Sequence, residues 1–238
     1  GCDREAQARR EGPHRRIDLS VVTSAAPLRT LEVRHLQLAR AFFAALAAVM
    51  ITFSPDHSAA VGLAVFSGFA IATGLMWFAA VWLIFPKGDR WAAVLLGILA
   101  LLAGMATGMP GLRTDTMFFV AVIAWAVLSG IVELVAGIRA RRMTHLPRSQ
   151  SRDAIFVGAL GILLGLGLVA VPVQYALTYT IEEAGQTFTL TGITIAVGIF
   201  GGYAAIVAVY LGIAAFSPRQ TDAEAAAAVT EATAERKP

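Results

Sequence analysis

The sequence predicts an all-α integral membrane protein of six transmembrane helices, arranged as three tandem helical hairpins with both termini in the cytoplasm. Apolar residues make up 57% of the 238 residues and charged residues only 15%, whereas soluble domains have roughly 45–50% and 25%. Six apolar segments come close to the ~20 residues that a helix needs to cross a ~30 Å hydrocarbon core. Lysine and arginine are concentrated in alternate connections, which the positive-inside bias places in the cytoplasm.

The predicted helices cover residues 36–54, 60–85, 91–109, 116–138, 154–175 and 190–216. Arg40 interrupts the first segment, which makes it the least apolar of the six. We still count it as a span, because six crossings with both ends inside leave Arg113 as the one basic residue on the outer side. This charge distribution predicts a multi-pass protein of a bacterial inner membrane.

The segments outside the membrane differ in composition from the apolar domain at 36–216. Residues 1–35 are polar and rich in arginine, and we predict a disordered cytoplasmic region held near anionic headgroups by charge. Residues 217–238 are rich in alanine and glutamate and are predicted to be a disordered tail. The pI of about 9.4 would suit a nucleic-acid binder, but the basic residues flank membrane segments. The bilayer is therefore the expected partner, and nucleic acid is not.

A weak internal repeat supports the three hairpins. In each one, a basic residue at the inner end precedes a proline at the outer end by about 20 residues. The pairs are Arg34 and Pro55, Arg90 and Pro110, and Arg152 and Pro172. The returning helices then carry the repeat glycines Gly74, Gly130 and Gly202. The third hairpin has a longer outer loop, TYTIEEAGQTFTL, which would form a short β-hairpin or lie on the membrane surface.

Stripes of small residues predict where the helices touch, since close van der Waals contact drives association in lipid. The stripes are Gly97, Ala100, Gly104 and Gly108 in the third segment, Ala154, Gly158, Gly161 and Gly165 in the fifth, and Gly198, Gly202, Ala205 and Gly212 in the sixth. In the fourth segment the small stripe contains Glu133, while Trp125 lies on another face. Glu133 is therefore predicted to face the bundle.

Glu133 and Arg40 are the two intramembrane polar candidates, because an ionisable side chain within a span is costly to desolvate. Glu133 lies six residues from Arg139 and Arg40 lies six residues from Arg34, so both sit at a similar depth near the inner surface. This predicts that they form an ion pair. The alternatives are a carboxylate that reaches the cytoplasmic interface or meets Arg90, and a proton relay.

The outer loops carry five candidates for a pH-responsive surface, which would lose negative charge and gain positive charge in acid. These are Asp56, His57, Asp115, Glu182 and Glu183. The alternative is that outer loops simply carry residues that are not basic. The histidines lack metal-ligand spacing, and no nucleophile has a neighbouring base, so no metal, cofactor or enzymatic activity is expected.

The middle hairpin, WAAVLLGILALLAGMATGMPG followed by AWAVLSGIVELVAGIRAR, carries two recognisable features. One is a GI-rich helix that ends in proline, with Gly97, Ile98, Gly104 and Pro110. The other is a W-x4-G-x2-E pattern, with Trp125, Gly130 and Glu133. In these features the chain resembles the HdeD family of small bacterial membrane proteins, six-span chains associated with acid resistance.

Two functions follow as expectations. The resemblance implies a non-enzymatic membrane protein of the acid-stress response, acting alone, as a homo-oligomer or with another membrane protein. The alternative is a small transporter or channel with Glu133 and Arg40 in a polar path. A water-accessible cavity that reaches Glu133 would favour the transporter, and a tightly closed bundle would favour the first function.

Overall fold

The structure, a computed structural model, describes residues 33–85, 90–142, 148–181 and 186–216. Within these ranges it contains six α-helices: α1 (Val33–Thr52), α2 (Ala59–Leu83), α3 (Trp91–Gly108), α4 (Asp115–Arg142), α5 (Arg148–Val169) and α6 (Gly192–Phe216). All six are long and apolar enough to cross a membrane. This confirms the prediction of six apolar helices of membrane-spanning length. The tail 217–238 and nearly all of the region 1–35 lie outside the described residues.

The long connection between α5 and α6 forms a β-hairpin, which is one of the two structures that its sequence allowed. Strands β1 (Ala176–Ile181) and β2 (Gln186–Thr191) pair antiparallel. Two cross-strand threonine pairs face each other, with hydroxyl oxygens 3.4 Å apart for Thr178 and Thr189 and 3.3 Å apart for Thr180 and Thr187. The fold is thus a helical bundle with one small ribbon rather than purely α-helical.

The helices that pack most closely are not those of the three predicted hairpins. The extensive contacts are α2 with α3, α4 with α5, and α1 with α6, while α1–α2, α3–α4 and α5–α6 touch less. Each predicted hairpin therefore splays, and packs its two helices against its neighbours. The closing pair, α1 with α6, joins the first helix of the chain to the last.

Glycines and serines explain two of these close pairs. A Cβ on Gly104 of α3 would lie 2.7 Å from Cγ1 of Ile71 in α2, and one on Gly137 of α4 would lie 2.7 Å from Cγ1 of Ile155 in α5. At both points a serine hydroxyl of the neighbouring helix donates a 2.8 Å hydrogen bond to the carbonyl oxygen of the glycine, from Ser67 to Gly104 and from Ser151 to Gly137. Close approach and an interhelical hydrogen bond are the usual means of holding helices together in lipid.

The predicted small stripes hold for α3 and α5 but not for α6. Gly198, Gly202 and Ala205 are exposed, and a Cβ on Gly198, Gly202 or Gly212 would have no atom within 4 Å. The glycine that faces α1 is Gly201, where a Cβ would lie 2.8 Å from Ile51. Because α6 is apolar on every side, lipid accepts its small residues as readily as a neighbouring helix does.

A cluster of aromatic rings from α2, α4 and α6 fills the centre of the bundle, and we call it the aromatic hub. Its members are Phe66, Phe69, Trp125, Phe200 and Tyr203. Ring centroids lie 5.3 Å apart for Phe66 and Trp125, 5.5 Å for Phe66 and Phe200, and 6.2 Å for Trp125 and Tyr203. Trp125, which was predicted to lie on a different face of α4 from the small stripe, is thus also buried, at the centre of the bundle.

Candidate functional site

Arg40 of α1 and Glu133 of α4 form an ion pair within the bundle. Nη2 of Arg40 donates to Oε1 of Glu133, and the two side chains are 15% and 8% exposed. The pairing expected from their similar depth is present. Arg90, the alternative partner, instead donates from Nε to the carbonyl of Phe85 at 2.9 Å.

The guanidinium group of Arg40 also packs on an aromatic ring. Its carbon lies 4.8 Å from the centroid of the Trp77 indole of α2, within the range of a cation–π interaction. Trp77 follows the repeat glycine Gly74 by three residues, just as Glu133 follows Gly130. The two equivalent positions of the internal repeat therefore contact the same arginine from opposite helices.

A second polar group joins α1, α5 and α6 near the ion pair. Nε2 of Gln37 donates to Oδ2 of Asp153 at 2.6 Å, and the hydroxyl of Tyr210 donates to Oδ1 at 3.0 Å. This group is not predicted from the sequence, because polar residues near helix ends are ordinary in membrane proteins. One signal was available: Gln37 precedes Arg40 by three residues, which places both on one face of α1.

A partly open cavity of about 340 Å³ is lined by the ion pair and by Gln37 and Asp153 of the second polar group. Most of its wall is apolar or aromatic, including Trp77, Phe85, Trp91, Leu96 and Leu211. The wall includes the first residues of α1 and α3 and the two residues that follow α2, Ile84 and Phe85. The cavity therefore lies at the end of the bundle where α1 and α3 begin and α2 ends. We call this the arginine-rich end.

The arginine-rich end is named for the exposed cations around the cavity. These are Arg34, Arg139, Arg141, Arg142 and Arg152. Arg139 lines the cavity itself, with its guanidinium carbon 5.7 Å from the ring centroid of Trp91. Charges of one sign around a low-dielectric cleft raise the local concentration of oppositely charged solutes. The mouth of the cavity therefore favours anions.

The path beyond the ion pair narrows sharply. A second cavity of about 20 Å³, enough for about one water molecule, is lined by Arg40, Glu133 and residues of the hub. Oε2 of Glu133 and the hydroxyl of Thr73, which also lines this cavity, are buried and find no hydrogen-bond partner among the described residues. Neither cavity is lined by a described residue that lies nearer the opposite end of the bundle than the aromatic hub. The large cavity is therefore one-sided, with the ion pair between it and the hub.

The proposed outer-face residues lie away from this cavity. Asp56 accepts hydrogen bonds from the backbone N–H and the hydroxyl of Ser58, at 2.9 and 2.8 Å, and Ser58 in turn caps the start of α2. His57 is half-buried beside it, and Asp115 is exposed in the first turn of α4. Glu182 and Glu183 lie outside the described residues. The pH-sensing role of this set stays a prediction.

No family model, curated protein or solved structure matches this chain. In the parts that the structure describes, no three or more His, Cys, Asp or Glu side chains come together as a group that could hold a metal ion. The six apolar helices define a multi-pass membrane protein. Its distinctive feature is a one-sided apolar cavity that ends at a buried ion pair.

Proposed function

We propose that this protein is a small, non-enzymatic transporter that binds its substrate in the cavity at the arginine-rich end. The observation that carries the proposal is that this cavity, of about 340 Å³, reaches the Arg40–Glu133 pair inside a helical bundle. Small-molecule sites have volumes of roughly 300–1,000 Å³ and mostly apolar walls with a few polar groups. Ionisable residues within spans mark substrate and ion pathways.

The arrangement corresponds to one state of an alternating-access cycle, open at one end and closed by the aromatic hub. The hub is where α2, α4 and α6 meet, so separating its rings would connect the ion pair to the opposite end. The closely packed pairs α2–α3, α4–α5 and α1–α6 would then move as rigid units. Transport by rocking of helix pairs around a fixed central site is a common mechanism in membrane proteins.

We further propose that the arginine-rich end faces the cytoplasm of a bacterial cell and that both termini lie inside. The positive-inside bias supports this orientation, because the exposed arginines around the cavity would otherwise have to cross the membrane. The substrate would then meet the protein from the cytoplasm in the state described above.

Thiol labelling in vesicles of opposite orientation tests both proposals. In a chain with Cys2→Ser, Ala140→Cys places a thiol on the cavity wall, and Ala126→Cys places one in a fully buried position of α4. A membrane-impermeant maleimide should label Ala140→Cys in inside-out vesicles and leave Ala126→Cys unlabelled in both. Labelling of Ala140→Cys from the outer side alone would show that the orientation is the opposite of the one proposed. Equal labelling of both variants would contradict the proposal of a cavity that opens on one side only.

A role in acid resistance is the second candidate. The W-x4-G-x2-E residues that carry the resemblance all have a place in the interior: Trp125 in the hub, Gly130 against α5, and Glu133 in the ion pair. We expect a deletion strain to survive acid challenge poorly, wild type to restore survival, and Glu133→Gln to fail. Equal survival of the deletion and wild-type strains would contradict this candidate.

One further variant tests whether acid is sensed by the outer-face residues, independently of Glu133. Neutralising the four outer carboxylates together removes the charge that acid would titrate. The substitutions are Asp56→Asn, Asp115→Asn, Glu182→Gln and Glu183→Gln. Loss of survival in this variant would support sensing at the outer face, and unchanged survival would exclude it.

A further inference from the structure

We propose that the cavity takes an amphipathic anion together with a proton. The anionic head would bind Arg40 in place of Glu133, and Glu133 would take up the proton. This inference rests on the proposed binding function of the same cavity, and it specifies the class of ligand and the ion that is coupled to it.

The two arginines and two carboxylates on the cavity wall sum to zero charge, so the choice between an anion and a cation depends on which of them is open to a ligand. Among the described residues that line it, four carry charge: Arg40, Arg139, Glu133 and Asp153. Both oxygens of Asp153 already accept hydrogen bonds from neighbouring helices, and Arg139 packs over an indole at the mouth. Arg40 is therefore the charge that an incoming head group would meet at the inner end of the cavity. A cation there would face both this arginine and the arginines around the mouth.

Arg40 has the donors that such a head group needs. Its hydrogen bond to Glu133 uses Nη2, and a guanidinium carries five N–H groups in a planar fork. The side chain is 15% exposed and lines the large cavity. Carboxylates and phosphates accept two parallel hydrogen bonds from such a fork, which is a stronger arrangement than the single bond made by Glu133. The apolar and aromatic wall would hold the rest of the ligand.

Glu133 would need a proton once the ligand replaced it at Arg40. Its side chain is 8% exposed, and Oε2 has no hydrogen-bond partner among the described residues even with the ion pair intact. The groups facing it are Arg40 from α1, Thr73 and Trp77 from α2, and Tyr203 from α6, with apolar residues of α5 alongside. None of these can replace the charge of Arg40. A buried carboxylate without its cation is strongly disfavoured, so the neutral acid is the form that remains.

Charge balance then fixes the stoichiometry. Before binding, Arg40 and Glu133 neutralise each other. After binding, the anion neutralises Arg40 and the protonated Glu133 is uncharged. The interior keeps zero net charge only if about one proton enters with each anion.

Calorimetry with three probes of the same apolar body tests the inference on the full chain in lipid nanodiscs. The probes are 4-phenylbutyrate, 4-phenylbutanol and 4-phenylbutylammonium. We expect the anion to bind about tenfold or more tightly than the other two. Repeating the titration in buffers of different ionisation enthalpy should show uptake of about one proton per anion bound.

Three variants assign the roles. Glu133→Gln, which imitates the protonated acid, should bind 4-phenylbutyrate at least as tightly as wild type and without proton uptake. The double variant Arg40→Gln/Glu133→Gln leaves no buried charge unpaired, so it should fold, and it should lose the preference for the anion. Asp115→Asn removes an exposed carboxylate from the same helix as Glu133 and should leave affinity and proton uptake unchanged.

The outcomes separate this inference from the proposal on which it rests. Equal binding of the three probes would keep the cavity as a binding site and overturn the anion assignment. Proton uptake that persists in Glu133→Gln would overturn the role of Glu133. No binding of any probe to the wild type would overturn both the inference and the proposed function.

Discussion

Removing Arg40 alone should be far more damaging than removing both members of the Arg40–Glu133 pair. Arg40→Gln leaves the buried carboxyl group of Glu133 without its cation, so the group must either stay an unpaired charge or take up a proton. Losing one partner of a buried ion pair costs about 3–5 kcal/mol. Arg40→Gln combined with Glu133→Gln removes both charges and should recover most of that loss. Thermal unfolding of the purified protein in detergent measures the difference. Equal losses in the single and double variants would show that the two residues are not energetically coupled.

The same two residues show what a sequence can reveal about a site. A charged residue within an apolar segment is easy to recognise in a sequence. Counting residues from the inner arginines then places Arg40 and Glu133 at the same depth in the membrane. Asp153 could not be found in this way, because it follows Arg152 at the polar start of α5. Its partners Gln37 and Tyr210 come from the first and last helices, and only the packing of α1 on α6 brings them to it.

At the scale of helices, the contact between α4 and α5 should depend on Gly158. A Cβ there would lie 2.6 Å from the backbone nitrogen of Leu134, which cannot move aside as a side chain can. We expect Gly158→Ala to destabilise the protein by about 1–3 kcal/mol.

Gly167 provides the control for this prediction, since it lies in the same helix and a Cβ there would meet no atom within 4 Å. Gly167→Ala should leave stability unchanged or raise it by about 0.5–1 kcal/mol through better helix propensity. The measurement is the denaturation midpoint of both variants in one detergent. Equal effects of the two substitutions would contradict the packing described here.

Hydropathy predicts that α6 exists but not which side of it faces the protein. Gly201 and Gly202 are neighbours in sequence, yet Gly201 meets Ile51 of α1 while Gly202 faces outwards. In a soluble helix, polar residues would mark the outer face. A helix surrounded by lipid is apolar on all sides, so polarity does not distinguish its outer face. The small residues of α6 were therefore assigned to the wrong face. In α3 and α5 the glycines happen to lie mainly on the contact side.

At the scale of the whole molecule, the aromatic hub joins the three helix pairs, and its loss should weaken all of them. Phe66 is fully buried and packs on both Trp125 and Phe200. Phe66→Ala should destabilise the protein by about 3 kcal/mol by opening a cavity. Trp82→Ala is the control, because Trp82 is 81% exposed and should contribute little to unfolding in detergent. A similar loss in both variants would mean that the hub does not hold the bundle together.

The number of helices follows from the sequence, but the way they associate does not. Segment length and hydropathy predict all six spans, because each must match the thickness of a bilayer. The repeat predicts three hairpins, each with its two helices joined at the outer end, and such a connection does not force the two helices to stay in contact over their length. Glycines such as Gly104 and Gly137 draw helices of successive hairpins together instead.

The first helix, α1, finds its partners only late in biosynthesis, because Arg40 pairs with Glu133 of α4 and the helix itself packs mainly against α6. Arg40 leaves the ribosome 93 residues before Glu133, a wait of about 5–20 s at ordinary rates of translation. Until α4 is inserted, the first helix must keep its guanidinium at the headgroup level by extending the side chain towards water. In the nascent chain, α1 therefore lacks its main packing partner until α6 has been inserted. Ribosome-bound chains truncated before Glu133 should leave Arg40 accessible to water-soluble reagents.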